Sequence, residues 1–209
     1  WDYHKVGSIN YAMGVGVIDM DNDGYPEIVA SAGYYYNDGI RGYYHNGDPK
    51  GSWSDFQVAS GLSYCGAINI TDMNKDGYDD IVVPVNGYSG SANIYRNPYP
   101  KNAKTNSWVA ISAIGGLSYP HEAIPIDIDG NGVLDVVSAS NYGSIKWGRA
   151  PDNANSTGGW SGFEISSGRS VAYPWGVVVG DIVDDGFVDV LITSNYRWSW
   201  SGANDRGLY

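Results

Sequence analysis

The sequence of 209 residues lacks several features that mark common classes of protein. It has a single cysteine, Cys65, which excludes an intrachain disulfide and predicts a buried free thiol. Twelve Lys and Arg residues stand against 23 Asp and Glu, a formal net charge of −11. This balance disfavours nucleic acid and anionic membranes as partners, and no apolar run approaches the roughly 20 residues of a membrane-spanning helix. We therefore expect ligands that are cationic or neutral.

Residues and motifs typical of catalysis are also scarce. The chain has three His residues, and it contains no nucleophile elbow, phosphate-binding loop or zinc-ligand spacing. Only the pair His121 and Glu122 resembles an acid–base couple, but neighbouring residues on a strand point to opposite faces. We therefore expect a protein that is not an enzyme.

An acidic nonapeptide recurs along the chain. Residues 19–27 read DMDNDGYPE, and related stretches occupy residues 72–80, 127–135 and 181–189. Their first Asp residues are 53, 55 and 54 positions apart, and two aliphatic residues follow each copy. Such a period predicts four structural repeats within one domain spanning residues 1–209.

Other residues keep the same register. A Tyr lies eight residues before each first Asp, and a Trp lies 18 to 21 residues before it. We expect these aromatic residues to pack between repeats. They are Tyr11, Tyr64, Tyr119 and Tyr173, with Trp1, Trp53, Trp108 and Trp160.

Each repeat contains four strand-like pieces and no helical period. In the second repeat we assign these pieces to Ala67–Thr71, Asp80–Val85, Ala92–Tyr95 and Trp53–Val58. Four short strands in about 50 residues are typical of a propeller blade, so the sequence predicts an all-β, four-bladed β-propeller. The Trp-containing N-terminal piece and the C-terminal piece would complete the last blade together.

The acidic stretches have the chemistry of calcium loops. Counted from the first Asp, oxygen-bearing side chains fall at positions 1, 3, 5 and 9, and Gly at position 6 permits a sharp turn. Hard oxygen ligands without His or Cys favour Ca²⁺ over zinc or copper. The predicted side-chain ligands in the first three copies are Asp19, Asp21, Asp23 and Glu27; Asp72, Asn74, Asp76 and Asp80; and Asp127, Asp129, Asn131 and Asp135. Backbone carbonyls at position 7 would come from Tyr25, Tyr78, Val133 and Phe187.

The fourth copy departs from this pattern. Val183 stands at position 3, where a ligand belongs, and Asp184 is displaced by one residue. Asp181, Asp185 and Asp189 remain, so we expect a weak or empty fourth site beside three calcium sites.

The loop Asp-x-Asp-x-Asp-Gly-x-x-Asp followed by two aliphatic residues resembles the FG-GAP/VCBS repeat family, whose members include integrin α-chain propellers and some fungal propeller lectins. The resemblance covers nearly the whole chain. It implies that each loop joins the first two strands of a blade and binds Ca²⁺.

An alternative for these loops is a set of Asx turns held by side chain to backbone bonds without metal. The nonapeptides contain 15 of the 23 acidic residues, however, and such clusters cost stability unless they are neutralised. In a chain without disulfides, Ca²⁺ would then stabilise the fold.

A second group of aromatic residues differs from repeat to repeat and falls on the face opposite the loops. Exposed aromatics beside polar groups suit the stacking of sugar rings, although they could equally fill gaps between blades or form an oligomer contact. The candidates are Tyr35, Tyr36, His121, Tyr142, Trp175, Trp198 and Trp200. The sequon at Asn155 lies in a polar loop and could carry a glycan.

These features favour a secreted, extracellular or cell-surface binding protein, with glycans or an extracellular protein as partner. Because the chain begins at Trp1, we expect a processed chain or a fragment. The leading hypothesis is a calcium-stabilised, lectin-like carbohydrate-binding protein. The alternatives are a structural or adhesive subunit of an extracellular fibre or matrix, including a homo-oligomer, and a non-catalytic propeller module of a polysaccharide-degrading enzyme.

Overall fold

Each copy of the acidic loop belongs to its own antiparallel sheet in the computed structural model, which describes residues 2–33, 38–85, 87–142, 144–166 and 174–194. The first sheet contains β1 (Ala12–Ile18), β2 (Glu27–Ala32), β3 (Ile40–His45) and β4 (Trp53–Ala59). The second contains β5 (Asn69–Thr71), β6 (Asp80–Val85), β7 (Gly90–Arg96) and β8 (Val109–Leu117). The third contains β9 (Pro120–Ile126), β10 (Asp135–Ser140), β11 (Ile145–Arg149) and β12 (Ser161–Glu164). The described part of the fourth contains β13 (Pro174–Gly180) and β14 (Asp189–Ser194). The prediction of an all-β chain is confirmed.

The strand register is the same around all four loops. In every copy, the residue before the first Asp pairs with the acid at position 9. The pairs are Ile18 with Glu27, Thr71 with Asp80, Ile126 with Asp135 and Gly180 with Asp189. The last acid of each loop is therefore the first residue of the second strand, where the sheet fixes its position.

Three hydrophobic clusters lie between sheets that are consecutive in the chain. The first joins Ile18 and Val29 of the first sheet to Ile81 and Val83 of the second. The next two join the second sheet to the third, and the third sheet to the fourth. The second strands of the second and third sheets are the most buried, because every residue of β6 and β10 is buried. Burial on both faces explains the aliphatic pairs that follow the loops at the start of β6 and β10.

A short segment before β5 ties three sheets together. The Cys65 N–H donates to Ala32 O (3.0 Å), and the Ala67 N–H donates to His121 O (2.9 Å). A Cβ added at Gly66 would lie 2.2 Å from His121 O, so only glycine permits this approach. The thiol of Cys65 is buried as predicted, and this burial raises its pKa to about 12.

Two strand predictions are wrong. Residues 2–9 form no strand; Gly7 lies against the Tyr43 ring, and the Tyr43 hydroxyl donates to Ser8 O (2.9 Å), so this segment packs on the first sheet. The strand from Trp53 pairs with β3 of the first sheet and not with the second repeat. The predicted C-terminal strand lies outside the described residues. Within the described ranges, no helix has the length and apolarity needed to cross a membrane.

Candidate functional site

The four acidic loops share one set of hydrogen bonds. In the first loop the Asp19 carboxylate accepts from the N–H groups of Asp23 (3.1 Å) and Gly24 (3.0 Å). The Asp23 carboxylate in turn accepts from the Tyr25 N–H (2.8 Å). The same three bonds recur in the other copies. These are the Asx-type turns that the sequence offers as an alternative, and they shape the loop whether or not it holds a metal.

The acid at position 9 is fixed against the start of its loop. Glu27 Oε2 accepts from the Met20 N–H (3.1 Å), and Asp80 accepts from the N–H groups of Met73 (3.1 Å) and Asn97 (2.8 Å). Burial raises the pKa of Glu27 and Asp135, and it raises that of Asp80 to about 7. A nearby cation would stabilise the ionised form of each of these carboxylates, because it offsets the cost of burying the charge.

Two of the loops bring three carboxylates together. Oxygens of Asp19, Asp21 and Glu27 lie within 4.8 Å of one another. Oxygens of Asp127, Asp129 and Asp135 converge in the same way, so both clusters could hold a metal ion. These residues occupy positions 1, 3 and 9, as the sequence predicts. The predicted ligand at position 5 of the first loop, Asp23, does not belong to its cluster of three carboxylates.

The second and fourth copies lack a carboxylate at position 3, where Asn74 and Val183 stand. Neither copy forms a cluster of three acids among the described residues. Asp181, Asp185 and Phe187 of the fourth loop are also exposed. The residue at position 3 therefore distinguishes the copies that form a cluster of three acids from those that do not.

Some oxygens at position 3 suit a cation. Asp21 Oδ1 and Asn74 Oδ1 are buried, and neither has a hydrogen-bond partner in the part of the chain that the structure describes. A buried acceptor without a donor costs free energy, and a coordinated cation would remove that cost. The donor sets of the first and second loops fit Ca²⁺ in this respect.

A lysine that the sequence pattern does not indicate lies within the first loop. The Lys104 ammonium is 2.9 Å from Asp21 Oδ2, 3.0 Å from Glu27 Oε1 and 3.8 Å from Asp23 Oδ2. It also lies 4.8 Å from the centre of the Tyr44 ring, and its side chain is 12% exposed. Burial alone would lower the pKa of Lys104, but hydrogen bonds to Asp21 and Glu27 outweigh burial and raise it.

The other loops meet different groups. At the third loop, Arg149 Nε contacts only Asp129 Oδ2 (2.6 Å), while its NH2 group reaches Asp152 (3.0 Å). At the second loop, Asn155 Oδ1 accepts from Asn74 Nδ2 (3.2 Å). The Asn155 side chain is exposed at this position, and its glycosylation stays a prediction.

A cavity of about 300 Å³ opens at the other end of the strands. Its wall includes Tyr119 and Pro120 at the start of β9 and Asn141 just after β10, whereas the acidic loop joins the opposite ends of those strands. The rings of His121 and Trp175 stack inside it, with centres 3.9 Å apart and planes at 27°. We call this cavity the aromatic pocket.

Polar groups and further tyrosines surround the stacked pair. His121 Nε2 lies 3.1 Å from Asn141 Oδ1, and burial lowers the pKa of His121 so that the neutral ring is favoured. Tyr119 contacts Tyr64 edge-on at 5.2 Å between ring centres and lies 6.4 Å from Tyr142. The aromatic pocket and its rim thus bring together three of the predicted ligand-binding residues, His121, Tyr142 and Trp175. The other four lie outside the described residues; they are Tyr35, Tyr36, Trp198 and Trp200.

The one acid–base couple in the sequence does not act as a pair. Glu122 Oε2 accepts from the Val177 N–H at 2.6 Å, which ties β9 to β13. His121 instead bonds to Asn141 and stacks on Trp175. The two side chains therefore have separate partners, as alternation along a strand predicts.

Comparison with known proteins gives one family. The family model described as FG-GAP-like repeat matches the chain twice, over residues 19–83 and 72–138. The two matches together span more than half of the chain and include the first three acidic loops. No curated protein matches this sequence.

Proposed function

The chain belongs to the FG-GAP-like repeat family, and from this premise we propose that it is an extracellular, calcium-stabilised protein that binds carbohydrate in its aromatic pocket. Binding rather than catalysis is its function. The separate engagement of His121 and Glu122 supports this, since they are the one candidate acid–base couple.

The four sheets are the blades of a single four-bladed propeller spanning residues 1–209. Two features support this arrangement. Consecutive sheets share hydrophobic clusters in chain order, and the four loops have one register. A ring would also cover the valines of β1, Val15 and Val17, which are exposed in the described structure.

Calcium is the cation of the acidic loops. In the third loop Asp127, Asp129 and Asp135 would hold it, because their oxygens already converge and carboxylates are the ligands that Ca²⁺ prefers. When bound, the ion supplies positive charge that offsets the repulsion among these acids. It thereby replaces the disulfides that a chain with one cysteine cannot form.

The aromatic pocket is the observation that carries the proposed ligand class. Sugars present apolar ring faces and many hydroxyls, so their sites combine flat aromatic groups with short polar side chains. The stacked His121–Trp175 pair offers such a platform, and Asn141 lies beside it. The favoured neutral form of His121 suits an uncharged ligand.

A glycan array probed in the presence of Ca²⁺ tests this function. Trp175→Ala removes the platform, and Phe163→Ala is the matched control, because the two aromatic side chains are exposed to the same degree (47% and 46%) but Phe163 lies on β12, away from the pocket. We expect binding to at least one class of neutral glycan, lost in Trp175→Ala and kept in Phe163→Ala. An array on which the unaltered protein binds nothing, or equal loss in both variants, would overturn the proposal.

A structural or adhesive subunit is the second candidate. The exposed apolar residues Val15 and Val17 on β1, with Val178 on β13, favour it, because such surfaces suit association with another chain. Electron microscopy distinguishes the two functions. Fibres or ordered oligomers support the subunit, whereas single ring-shaped particles support the binding protein.

A further inference from the structure

We propose that Lys104 is a tethered cation that occupies the first acidic loop, so that Ca²⁺ can enter this loop only by displacing it. The inference rests on the proposed role of calcium in these loops. It makes Lys104 the residue that determines which loops take the metal, and it leaves the third loop as the stronger site.

The first part of the argument is position. The Lys104 ammonium contacts the carboxylates of Asp21 and Glu27, two of the three residues whose oxygens converge as a candidate metal site, and lies 3.8 Å from Asp23. An ion bound by those oxygens would lie within a few ångströms of the ammonium. Two cations at that distance repel strongly in a partly buried site, so the lysine and the metal exclude each other.

The second part is the attachment of the lysine. Lys104 belongs to the segment 97–108, which joins β7 to β8 in the second sheet and reaches back to the loop of the first sheet. Asn97 anchors the same segment, since its Nδ2 donates to Met20 O (2.9 Å) and Asp79 O (3.2 Å). The ammonium is also held beside the Tyr44 ring. A metal that displaced Lys104 would therefore have to move a charged side chain from a mostly buried position into water.

The third part is the contrast with the other loops. The corresponding segment of the third sheet presents the neutral Asn155 to the second loop. Arg149 touches a single oxygen of Asp129 at the third loop, and its guanidinium is shared with Asp152. Among the described residues, a cation therefore contacts two of the clustered carboxylates in the first loop and one in the third, where Lys75 also donates to the Gly132 carbonyl.

Calcium titration of metal-free protein by calorimetry tests the proposal. Lys104→Met removes the charge and keeps an apolar stem, Lys104→Arg keeps the charge, and Lys101→Met is the matched control, an exposed lysine of the same segment. At calcium concentrations below millimolar we expect Lys104→Met to bind one more calcium ion per molecule than the unaltered protein, because loss of the like charge raises the affinity of the first loop at least about tenfold. The Lys104→Arg and Lys101→Met variants should keep the stoichiometry of the unaltered protein.

A second measurement needs no variant. In calcium-free solution, acetylation of lysines by an activated ester, followed by peptide mass spectrometry, should modify Lys104 at least about tenfold more slowly than Lys101, because a paired and buried ammonium reacts slowly. Millimolar Ca²⁺ should reduce this difference.

The outcomes separate the two claims. A Lys104→Met titration identical to that of the unaltered protein, or equal acetylation of Lys104 and Lys101, overturns the role of Lys104 while calcium binding at the third loop still stands. Absence of calcium binding in every variant overturns the calcium proposal and the role of Lys104 with it.

Discussion

In the first three loops, burial and hydrogen bonding shift the pKa of the acid at position 9 in opposite directions. Asp80 accepts two backbone N–H groups, which favour its ionised form, yet burial dominates and raises its pKa to about 7. Burial also raises the pKa values of Glu27 and Asp135. Their pKa values in the folded protein therefore exceed those in the unfolded chain, where the groups are hydrated.

These raised pKa values predict how the free energy of unfolding depends on pH. A carboxyl group with a raised folded-state pKa binds more protons in the folded state, so it costs stability as pH rises from the unfolded pKa, near 4, through the folded pKa. For the metal-free protein we expect the free energy of unfolding to fall by roughly 2–3 kcal/mol between pH 5 and pH 8. Added Ca²⁺ should flatten this trend, because the metal favours the ionised form.

Urea unfolding of metal-free protein at several pH values measures the slope. His121 acts in the opposite direction, because burial lowers its pKa below the usual value for histidine. The Asp80→Asn variant isolates the contribution of Asp80, since its slope should be smaller whatever its absolute stability. A metal-free protein that gains stability from pH 5 to pH 8 would contradict the prediction.

At this scale the sequence predicts much of the site. Regular spacing identifies the acids at positions 1, 3 and 9, because four copies in one chain reveal what one copy cannot. It does not reveal Lys104, which is 77 residues from Glu27 and reaches it through the packing of two sheets. Nor does it decide whether the side chain at position 5 forms an Asx turn or a metal contact, and the structure shows the turn.

At the scale of the element, the segment 65–67 shows how the sheets are joined. Its backbone bonds to Ala32 and His121 link the second sheet to both neighbours. We expect Gly66→Ala to destabilise the protein by at least about 3 kcal/mol, since the new methyl group would overlap the His121 carbonyl.

The matched control is Gly115→Ala in β8, where an added Cβ meets nothing within 4 Å. Chemical denaturation in saturating Ca²⁺ should place this variant within about 0.5 kcal/mol of the unaltered protein. Equal effects of the two substitutions would show that the close approach at Gly66 carries no special cost.

Strand positions are easier to predict than strand partners. The apolar runs after each loop correctly indicate β2, β6, β10 and β14, and burial on both faces explains these runs in β6 and β10. The pattern around Trp53 shows a strand but not the sheet to which it belongs. The sheet to which this strand belongs is set by its pairing with β3, and the periodicity of the sequence does not indicate that pairing.

At the scale of the whole molecule, the net charge of −11 opposes a compact state. We expect chelation of calcium to lower the melting temperature by about 5–10 °C, relative to free Ca²⁺ a hundredfold above its dissociation constant. Differential scanning calorimetry with EGTA and with Ca²⁺ measures this shift.

Asp129→Asn should reduce the calcium-dependent part of the shift, because it removes the position 3 ligand of the third loop. Asp184→Asn is the control, since it removes the same charge from the fourth loop at the displaced position. A melting curve that EGTA leaves unchanged would contradict a stabilising role for calcium.

Residues 97–108 join two strands of the second sheet, but they contact the acidic loop of the first sheet, which comes earlier in the chain. Asp21 and Glu27 are synthesised before Lys104, whose ammonium contacts them only when the second sheet packs against the first. The acidic loop of the first repeat is therefore completed by a residue of the next repeat, and its charge balance depends on how the two sheets pack.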